Sequence, residues 1–176
     1  GAGKSAMEAL AKQTASLLNA REVKTEAFSR QIAFNAIPQI DAFQDNDYTK
    51  EEMKMVWETQ KIMGDDSILV NATAVRVPVF YGHAEAIHLE TRAPIDAEQV
   101  KQLLADAPGV TLYEGAEQFP TQVSSASGND NVHVGRVRND ITHPCGLNLW
   151  VVSDNIRKGA ATNSIQIAET LIQDYL

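Results

Sequence analysis

Apolar residues recur every three to four positions in four stretches of the chain, the spacing that places them along one face of an α-helix. This pattern predicts helices over residues 5–18, 50–63, 94–107 and 157–175. The first two are separated by a mixed segment without clear periodicity, which is typical of loop and short strand. The chain therefore contains enough amphipathic helix to cover a sheet of moderate size.

The second predicted helix has a defined start and end. Thr49 precedes Glu52 by three residues, the spacing of a capping box, and Gly64 is a typical C-terminal stop. If Glu52 caps the helix, Glu51 and Lys54 lie three residues apart on another face. The pattern by itself favours a surface ion pair for these two side chains, which would contribute little to stability.

The last predicted helix carries an apolar stripe for which the chain offers no evident partner. Its members are Ala161, Ile165, Ala168, Ile172 and Tyr175. An apolar stripe of this length has to be covered by another surface or remain exposed. We therefore expect either an exposed hydrophobic patch or a contact between two copies of the chain.

Short runs rich in β-branched and aromatic residues predict about six strands. They cover residues 68–70, 73–81, 84–90, 110–113, 132–137 and 147–152. Residues 115–129 are rich in Pro, Ser, Gly and Gln, which predicts a long surface loop. Because helices and strands do not alternate regularly, the sequence indicates one α+β domain over residues 1–176. Its sheet would be mixed or mostly antiparallel, with helices packed on one face.

Two polar side chains interrupt the strand-like run between residues 73 and 90. Arg76 lies in its middle, and His83 follows Gly82. A guanidinium stays charged at ordinary pH, so its burial requires a carboxylate or a phosphate. Because Arg76 and His83 are an odd number of residues apart, a flat strand would place them on opposite faces. A bend at Gly82 is needed to bring them to one cleft, and Pro78 indicates an edge or an interruption.

Composition excludes several classes of function. The chain has 176 residues and a net charge of −8, which argues against a nucleic-acid-binding or anionic-membrane surface. No apolar run approaches the length of a membrane span, and no signal-peptide pattern is present. The four histidines are scattered, so no closed zinc site is expected. A single cysteine suits a reducing, cytoplasmic setting.

Cys145 is a weak candidate for a nucleophile. His143 lies two residues away, but the turn between Pro144 and Gly146 shows no helix terminus or buried pocket that would lower the thiol pKa. The start of the chain is also informative. It begins with glycines rather than Met, as though a loop had lost its beginning, so we expect a fragment of a larger protein. Gly3-Lys4-Ser5 matches the end of a phosphate-binding loop, but the earlier glycine of that motif is missing, which favours a simple turn.

Three motifs resemble bacterial aspartate-semialdehyde dehydrogenase. They are Arg76-Val-Pro-Val-Phe-Tyr-Gly-His83-Ala-Glu, Tyr48-Thr-Lys-Glu51-Glu-Met-Lys54 and Leu149-Trp-Val-Val-Ser-Asp-Asn-Ile-Arg-Lys-Gly-Ala-Ala-Thr-Asn163. The resemblance covers essentially the whole chain and corresponds to the C-terminal catalytic and dimerisation domain. It implies the C-terminal domain of the glyceraldehyde-3-phosphate dehydrogenase-like fold, with the N-terminal NADP-binding domain absent. It also implies a homodimer.

The resemblance implies a reaction and a role for four side chains. The family reduces aspartyl phosphate to aspartate semialdehyde with NADPH, on the route to lysine, threonine and methionine. His83 would be the general acid/base, a task suited to a pKa near neutrality. Arg76 would bind the substrate carboxylate in a bidentate manner. Glu51 would hold the substrate ammonium and Lys54 would attract the phosphate, in place of the surface pair.

The resemblance also implies contacts with NADP and a missing catalytic group. Gly1 and Gly3 match the end of a glycine-rich loop near the cofactor, and Asn163 would contact the nicotinamide amide. The nucleophilic cysteine of the family lies in the half that this chain lacks, and Cys145 does not match its motif. We therefore expect the isolated chain to be inactive. The alternative is a non-catalytic dimerisation module or a paralogue of the same fold.

Overall fold

The computed structural model describes residues 2–115 and 117–176. The chain divides into two compact units, Ala2–Phe80 and Tyr81–Leu176. The first contains two helices, and the second contains a sheet of four strands with two further helices. The elements are α1 (Lys4–Leu18), α2 (Lys50–Met63), β1 (His83–Glu90), α3 (Ala97–Ala105), β2 (Val110–Leu112), β3 (Val132–Asn139), β4 (Gly146–Ser153) and α4 (Thr162–Asp174).

In the first unit, a loop packs on α1 around a small apolar core. The core residues are Leu10, Ile32, Ala33 and Ile37, with Leu17 and Phe28 against them. The buried side chain of Gln13 holds the loop in place. Its Oε1 accepts the backbone N–H of Ile32 at 2.8 Å, and its Nε2 donates to the carbonyl of Lys24 at 3.0 Å. A segment with no periodicity of its own is thus ordered by one amide on the neighbouring helix.

The predicted capping box of α2 is confirmed. Thr49 Oγ1 accepts the N–H of Glu52 at 3.3 Å, and Glu52 Oε2 accepts the N–H of Thr49 at 2.7 Å. The other oxygen of Glu52 accepts the N–H of Ala74 at 2.8 Å, so the same carboxylate also fixes a distant segment. The backbone donors of Thr49 and Ala74 lower the pKa of Glu52 despite its burial. Gly64 ends the helix in the left-handed conformation, as expected.

The strands predicted over residues 68–70 and 73–81 are wrong. The second run contains an isolated β-bridge, in which Arg76 exchanges backbone hydrogen bonds with Ile37 at 2.9 and 3.0 Å. The N–H of Val79 then bonds the carbonyl of Val77 at 2.8 Å, a tight turn around Pro78. Because proline fixes φ and cannot donate, it ends the pairing that the β-branched residues favour.

The sheet of the second unit has the order β1-β4-β3-β2. The β1–β4 and β4–β3 pairs are antiparallel and the β2–β3 pair is parallel, which confirms a mixed sheet in an α+β fold. All four strands lie where the sequence predicts them, within a few residues. The short β2 is the only parallel member.

One face of this sheet packs against α3 and forms the larger core, as predicted for helices on one face. Its buried members are Ala97, Val134, Val137 and Leu147. Val134 and Val137 are three residues apart, which would place them on opposite faces of a regular strand. A β-bulge between Gly135 and Arg138, with Arg136 at φ +57°, inserts an extra residue and returns Val137 to the core face.

The opposite face is covered by the segment predicted to be a surface loop, so that prediction is wrong in part. Residues 115–129 contain a short π-helical turn, Gln122–Ala126, and Ala126 is fully buried. The indole Nε1 of Trp150 donates to the carbonyl of Pro120 at 2.9 Å. A Cβ at Gly135 would lie 2.6 Å from Pro120 Cδ, so glycine is needed for this close approach. Pro120 and Ala126 thus pack on the sheet, whereas residues 117–119, 123–124 and 127–129 are exposed.

The last helix begins with a π-helical turn, Arg157–Ala161, that continues into α4. No residue of α4 is buried. Ile165, Ile172 and Tyr175 are 61%, 65% and 77% exposed, so the predicted apolar stripe is an exposed patch in this chain. No helix in the described part of the chain is long and apolar enough to cross a membrane.

The capping box gives a first prediction. Thr49→Ala removes the hydroxyl that accepts the N–H of Glu52, so we expect the free energy of unfolding to fall by about 1 kcal/mol. Thr25→Ala, an exposed loop position, is the matched control and should change it by less than about 0.5 kcal/mol. Urea denaturation followed by circular dichroism measures both, and equal losses would contradict the prediction.

A second prediction concerns His133, which is buried on the covered face of the sheet. Its Nδ1 lies 3.3 Å from the Tyr113 hydroxyl, and its Nε2 has no hydrogen-bond partner in the described part of the chain. Burial lowers the pKa of His133. As the pH falls below the unfolded-state pKa of about 6.5, the unfolded chain therefore binds more protons at His133 than the folded chain does. The free energy of unfolding then decreases until the pH reaches the folded-state pKa.

His133→Leu should remove that dependence. We expect the thermal midpoint of the native chain to drop between pH 7 and pH 5 more steeply than that of the variant. His143→Leu, at a half-buried position of the turn before β4 where the imidazole accepts the Cys145 N–H, is the control and should keep the native slope. Identical slopes for the native chain and His133→Leu would show that the buried imidazole does not titrate with unfolding.

Candidate functional site

Glu51 and Lys54 lie in the first turns of α2 and contact each other. Lys54 Nζ is 3.2 Å from Glu51 Oε2, and the two side chains are 41% and 38% exposed. The hydrogen bond and the charge of Glu51 raise the pKa of Lys54. The capping box orients them, because it uses the other glutamate, Glu52, and leaves Glu51 facing solvent. The surface pair predicted from spacing is therefore present.

The guanidinium of Arg76 is half-buried and has no acidic partner within 4.0 Å in the described part of the chain. It lies over the ring of Phe28, with Cζ 5.6 Å from the ring centroid, a cation–π contact. Arg76 also lines a small cavity of about 110 Å³ with Ser29, Gln39 and Asp41 among its walls. The anion that burial of this arginine requires is not supplied by a neighbouring carboxylate.

His83 is the first residue of β1 and is exposed, opposite Ser153 of β4. Gly82, directly before it, is buried and has φ +76°. A Cβ at Gly82 would meet the Ser153 carbonyl at 3.1 Å and the Gln122 side chain at 3.2 Å. The predicted bend at Gly82 is thus confirmed, and only glycine fits it without strain.

The expectation based on strand faces does not apply to Arg76 and His83. It assumed one strand through both residues, whereas the regular strand begins only at His83. Arg76 lies in irregular backbone, held by its bridge to Ile37. The odd spacing therefore places no constraint on whether the two side chains reach one cleft.

The residues expected near a cofactor lie at helix starts. Gly1 lies outside the described residues. Gly3 precedes α1 with φ +87°, and a Cβ built there would meet nothing within 4 Å. Asn163 lies in the first turn of α4 and is exposed. Neither residue is packed against other groups in a way that would prevent a ligand from approaching.

Cys145 does not form a thiol–imidazole pair. Its backbone N–H, rather than its thiol, approaches His143 Nδ1 at 3.3 Å. No group of three or more His, Cys, Asp or Glu side chains that could hold a metal ion occurs within the residues that the structure describes.

Sequence reasoning missed a buried carboxylate directly after β4. Asp154 is 7% exposed, and its Oδ1 accepts the backbone N–H groups of Ile156 at 2.8 Å and Arg157 at 3.0 Å. Its Oδ2 accepts the N–H of Gly128 at 2.8 Å. Burial raises the pKa of Asp154, but these backbone donors more than offset it, so the net pKa is lowered. The only signal in the sequence was an Asp-Asn pair between a strand and a helix, which is typical of a cap.

A second carboxylate fixes the start of α4. Asp130 accepts two hydrogen bonds from Arg157, at 2.8 and 2.6 Å, and one from Thr162 Oγ1 at 2.6 Å. These contacts lower the pKa of Asp130 to about 2. The turn between β4 and α4, which leads to Asn163, is therefore held by two acidic side chains.

Comparison with known proteins bears on the family and the fold of the chain. The family model "Semialdehyde dehydrogenase, dimerisation domain" matches residues 1–158. The chain belongs to this family. An aspartate-semialdehyde dehydrogenase 2 of Vibrio cholerae is 67% identical over 175 residues, which are 99% of this chain and 52% of that protein. The semialdehyde dehydrogenase dimerisation domain described here thus spans about half the length of the curated relatives it matches.

Solved structures of the family have the same fold. The Vibrio cholerae aspartate semialdehyde dehydrogenase II complexed with ASA has a TM-score of 0.95 and 67% identity, over 99% of this chain and 52% of that one. A Candida albicans aspartate semialdehyde dehydrogenase with NADP has a TM-score of 0.67 and 28% identity, over 83% of this chain and 46% of that one. The resemblance and the fold class expected from the sequence are both confirmed.

The buried carboxylate of this dimerisation domain gives a third prediction. Asp154→Asn replaces an acceptor-only carboxylate by an amide with one acceptor oxygen, so at least one of the three backbone donors loses its partner. We expect a loss of about 1–3 kcal/mol in the free energy of unfolding at pH 7. Because the pKa of Asp154 is lowered on folding, its stabilisation should disappear in the native chain as the pH falls below about 4.

The matched control is Asp106→Asn, which changes an exposed aspartate at the end of α3. Thermal unfolding between pH 3 and pH 7 measures both variants. A pH-independent difference between native chain and Asp154→Asn would contradict the prediction.

Proposed function

We propose that this chain is the catalytic and dimerisation half of an NADP-dependent aspartate-semialdehyde dehydrogenase. The reaction is the reductive dephosphorylation of aspartyl phosphate to aspartate semialdehyde, on the route to lysine, threonine and methionine. The whole enzyme acts as a homodimer in the cytoplasm. The observation that carries the proposal is Arg76, a half-buried guanidinium without an acidic protein partner in the described part of the chain.

Arg76 fits the substrate α-carboxylate. A guanidinium presents a planar pair of donors that matches both oxygens of a carboxylate. Phe28 lies against its cation and limits its movement, and Ser29 and Gln39 line the same cavity with neutral polar groups. Asp41 also lines the cavity, but its carboxylate forms no ion pair with Arg76 within 4.0 Å. The site is therefore suited to a small carboxylate with polar neighbours rather than to an apolar ligand.

Glu51 and Lys54 suit the other charges of the substrate. Their mutual contact of 3.2 Å is solvent-exposed, and such pairs are weak, so a ligand can replace it at little cost. Glu51 would bind the substrate ammonium, and Lys54 would bind phosphate as a point charge. A ligand that carries both an ammonium and a phosphate therefore presents a group of opposite charge to each of these two side chains.

His83 is suited to move the proton. It is exposed at the first position of β1, with its backbone fixed by the pairing with Ser153 and by the bend at Gly82. An imidazole titrates near neutral pH, so it can accept the thiol proton and return a proton to the hemithioacetal oxygen. The thiolate would then attack the substrate carbonyl, and phosphate would leave when the acyl group is transferred to sulfur.

NADPH would supply the hydride that reduces the thioester to the hemithioacetal, and collapse of the hemithioacetal would release aspartate semialdehyde and regenerate the thiol. Asn163 fits the carboxamide of the nicotinamide, because it is exposed and its side chain can both donate and accept. Gly3, open on its Cβ side, permits close approach of a ligand to the backbone. Gly1, Gly3 and Asn163 would each contribute a contact to the cofactor, and the rest of the cofactor site would come from the nucleotide-binding half.

The thiol nucleophile must come from outside this chain, since Cys145 has only a backbone contact to His143. The isolated chain would therefore be inactive. A non-catalytic dimerisation module of the same fold is the alternative. It predicts that Arg76 and His83 can be replaced without a change in any activity.

The fourth prediction distinguishes the catalytic half of an enzyme from a non-catalytic dimerisation module. It uses a chimera in which this chain replaces the matching segment of the Vibrio cholerae relative. We expect aspartate-semialdehyde dehydrogenase turnover with NADP from the chimera and none from the chain alone. His83→Gln should lower kcat by about 10²- to 10⁴-fold, because it removes general acid/base catalysis. Arg76→Lys should raise KM for aspartate semialdehyde, because the bidentate contact is lost.

Arg138→Lys, at an exposed position near the end of β3, is the control for Arg76→Lys and should leave KM unchanged. An inactive chimera that still folds and dimerises would support the non-catalytic module. Native turnover after both His83→Gln and Arg76→Lys would refute the assigned roles.

A further inference from the structure

The turn before His83 is held by a side chain far away in the sequence. Asn155 Oδ1 accepts the backbone N–H of Gly82 at 3.0 Å, although the two residues are 73 positions apart. Both lie in the unit Tyr81–Leu176. No property assigned above to the catalytic residues uses this contact.

The contact lies where the sheet ends. The pairing of β1 with β4 begins at His83 opposite Ser153, so Gly82 lies directly before the ladder. Gly82 is buried, and an unsatisfied amide there would be costly. Asn155 lies two residues beyond Ser153 and accepts this N–H with its side-chain oxygen.

Asn155 is itself held in a fixed turn. The carboxylate of Asp154 accepts the N–H groups of Ile156 and Arg157, on the other side of Asn155. The carbonyl of Asp154 accepts the N–H of Gly159 at 3.0 Å. Because the backbone on both sides is bonded, the Asn155 amide has a defined direction rather than a mobile one.

We propose that Asn155 is a positioning residue that sets the place of the His83 imidazole for proton transfer. The inference rests on the proposed general acid/base role of His83. Loss of the Gly82 contact would free the bend and let the first residue of β1 move. A displacement of about 1 Å at a reacting group can lower a rate by about 100-fold. The same turn continues towards Asn163, so one short segment serves both the acid/base residue and the proposed cofactor contact.

Amide hydrogen exchange in the 176-residue chain tests the geometry without reference to activity. Asn155→Ala should raise the exchange rate of the Gly82 amide at least about tenfold. Asn155→Asp keeps an acceptor oxygen on a side chain of the same shape and should leave the Gly82 amide protected from exchange. The matched control is Asn131→Ala, which removes another half-buried side-chain contact of this unit, a 3.0 Å hydrogen bond to Thr111.

Kinetics of the Vibrio chimera test the role. Asn155→Ala should lower kcat by about 10- to 100-fold, with KM for aspartate semialdehyde within about threefold of the native value. Asn155→Asp should recover kcat to within about threefold, since only the acceptor is needed. Asn131→Ala should keep native kcat. Thermal midpoints of all variants separate a local effect from general destabilisation.

The outcomes separate the two proposals. Equal losses of kcat in Asn155→Ala and Asn131→Ala, or native kcat in Asn155→Ala, would overturn the positioning role. So would an unchanged exchange rate at Gly82. An inactive native chimera would instead defeat the proposed function, and the exchange experiment would still decide whether Asn155 fixes the turn at His83.

Discussion

The buried carboxylate of Asp154 is the contact on which the second unit depends most. It accepts three backbone N–H groups, from Gly128, Ile156 and Arg157, and so joins the segment covering the sheet to the turn leading into α4. A buried charge is tolerated when its oxygens are fully bonded, as here. The end of β4, the bend at Gly82 and the start of α4 all lie around this group.

Two kinds of polar residue occur in this chain, and they differ in where their partners are. Glu52, Asp130 and Asp154 are bonded within the protein and stabilise its backbone. Arg76 has no acidic partner in the described part of the chain, and Glu51 and Lys54 have only a weak, exposed one. Removing a residue of the first kind lowers the stability of the fold, whereas residues of the second kind are available to bind a ligand. This distinction connects the packing of the chain to the proposed chemistry.

The pattern of residues predicted what depends on local interactions. Thr49 and Glu52 are three residues apart, so their capping box forms within one helical turn. The four strands of the sheet lie where strand-like runs predicted them, although the run over residues 73–81, which is rich in valine, forms no strand. Whether residues 73–81 form a strand depends on Pro78 and on the presence of a neighbouring strand. The presence of a neighbouring strand is not a local property of the sequence.

The sequence by itself determined the caps of α2, the mixed α+β class and, through three motifs, the family. Tertiary structure decided the rest. The bulge at Arg136 keeps Val137 in the core, and the covering of the sheet by residues 115–129 depends on Gly135 and Pro120 meeting in space. The contact from Asn155 to Gly82 joins positions 73 residues apart. Such contacts depend on which segments the fold brings together, and no periodicity or spacing along the chain encodes that.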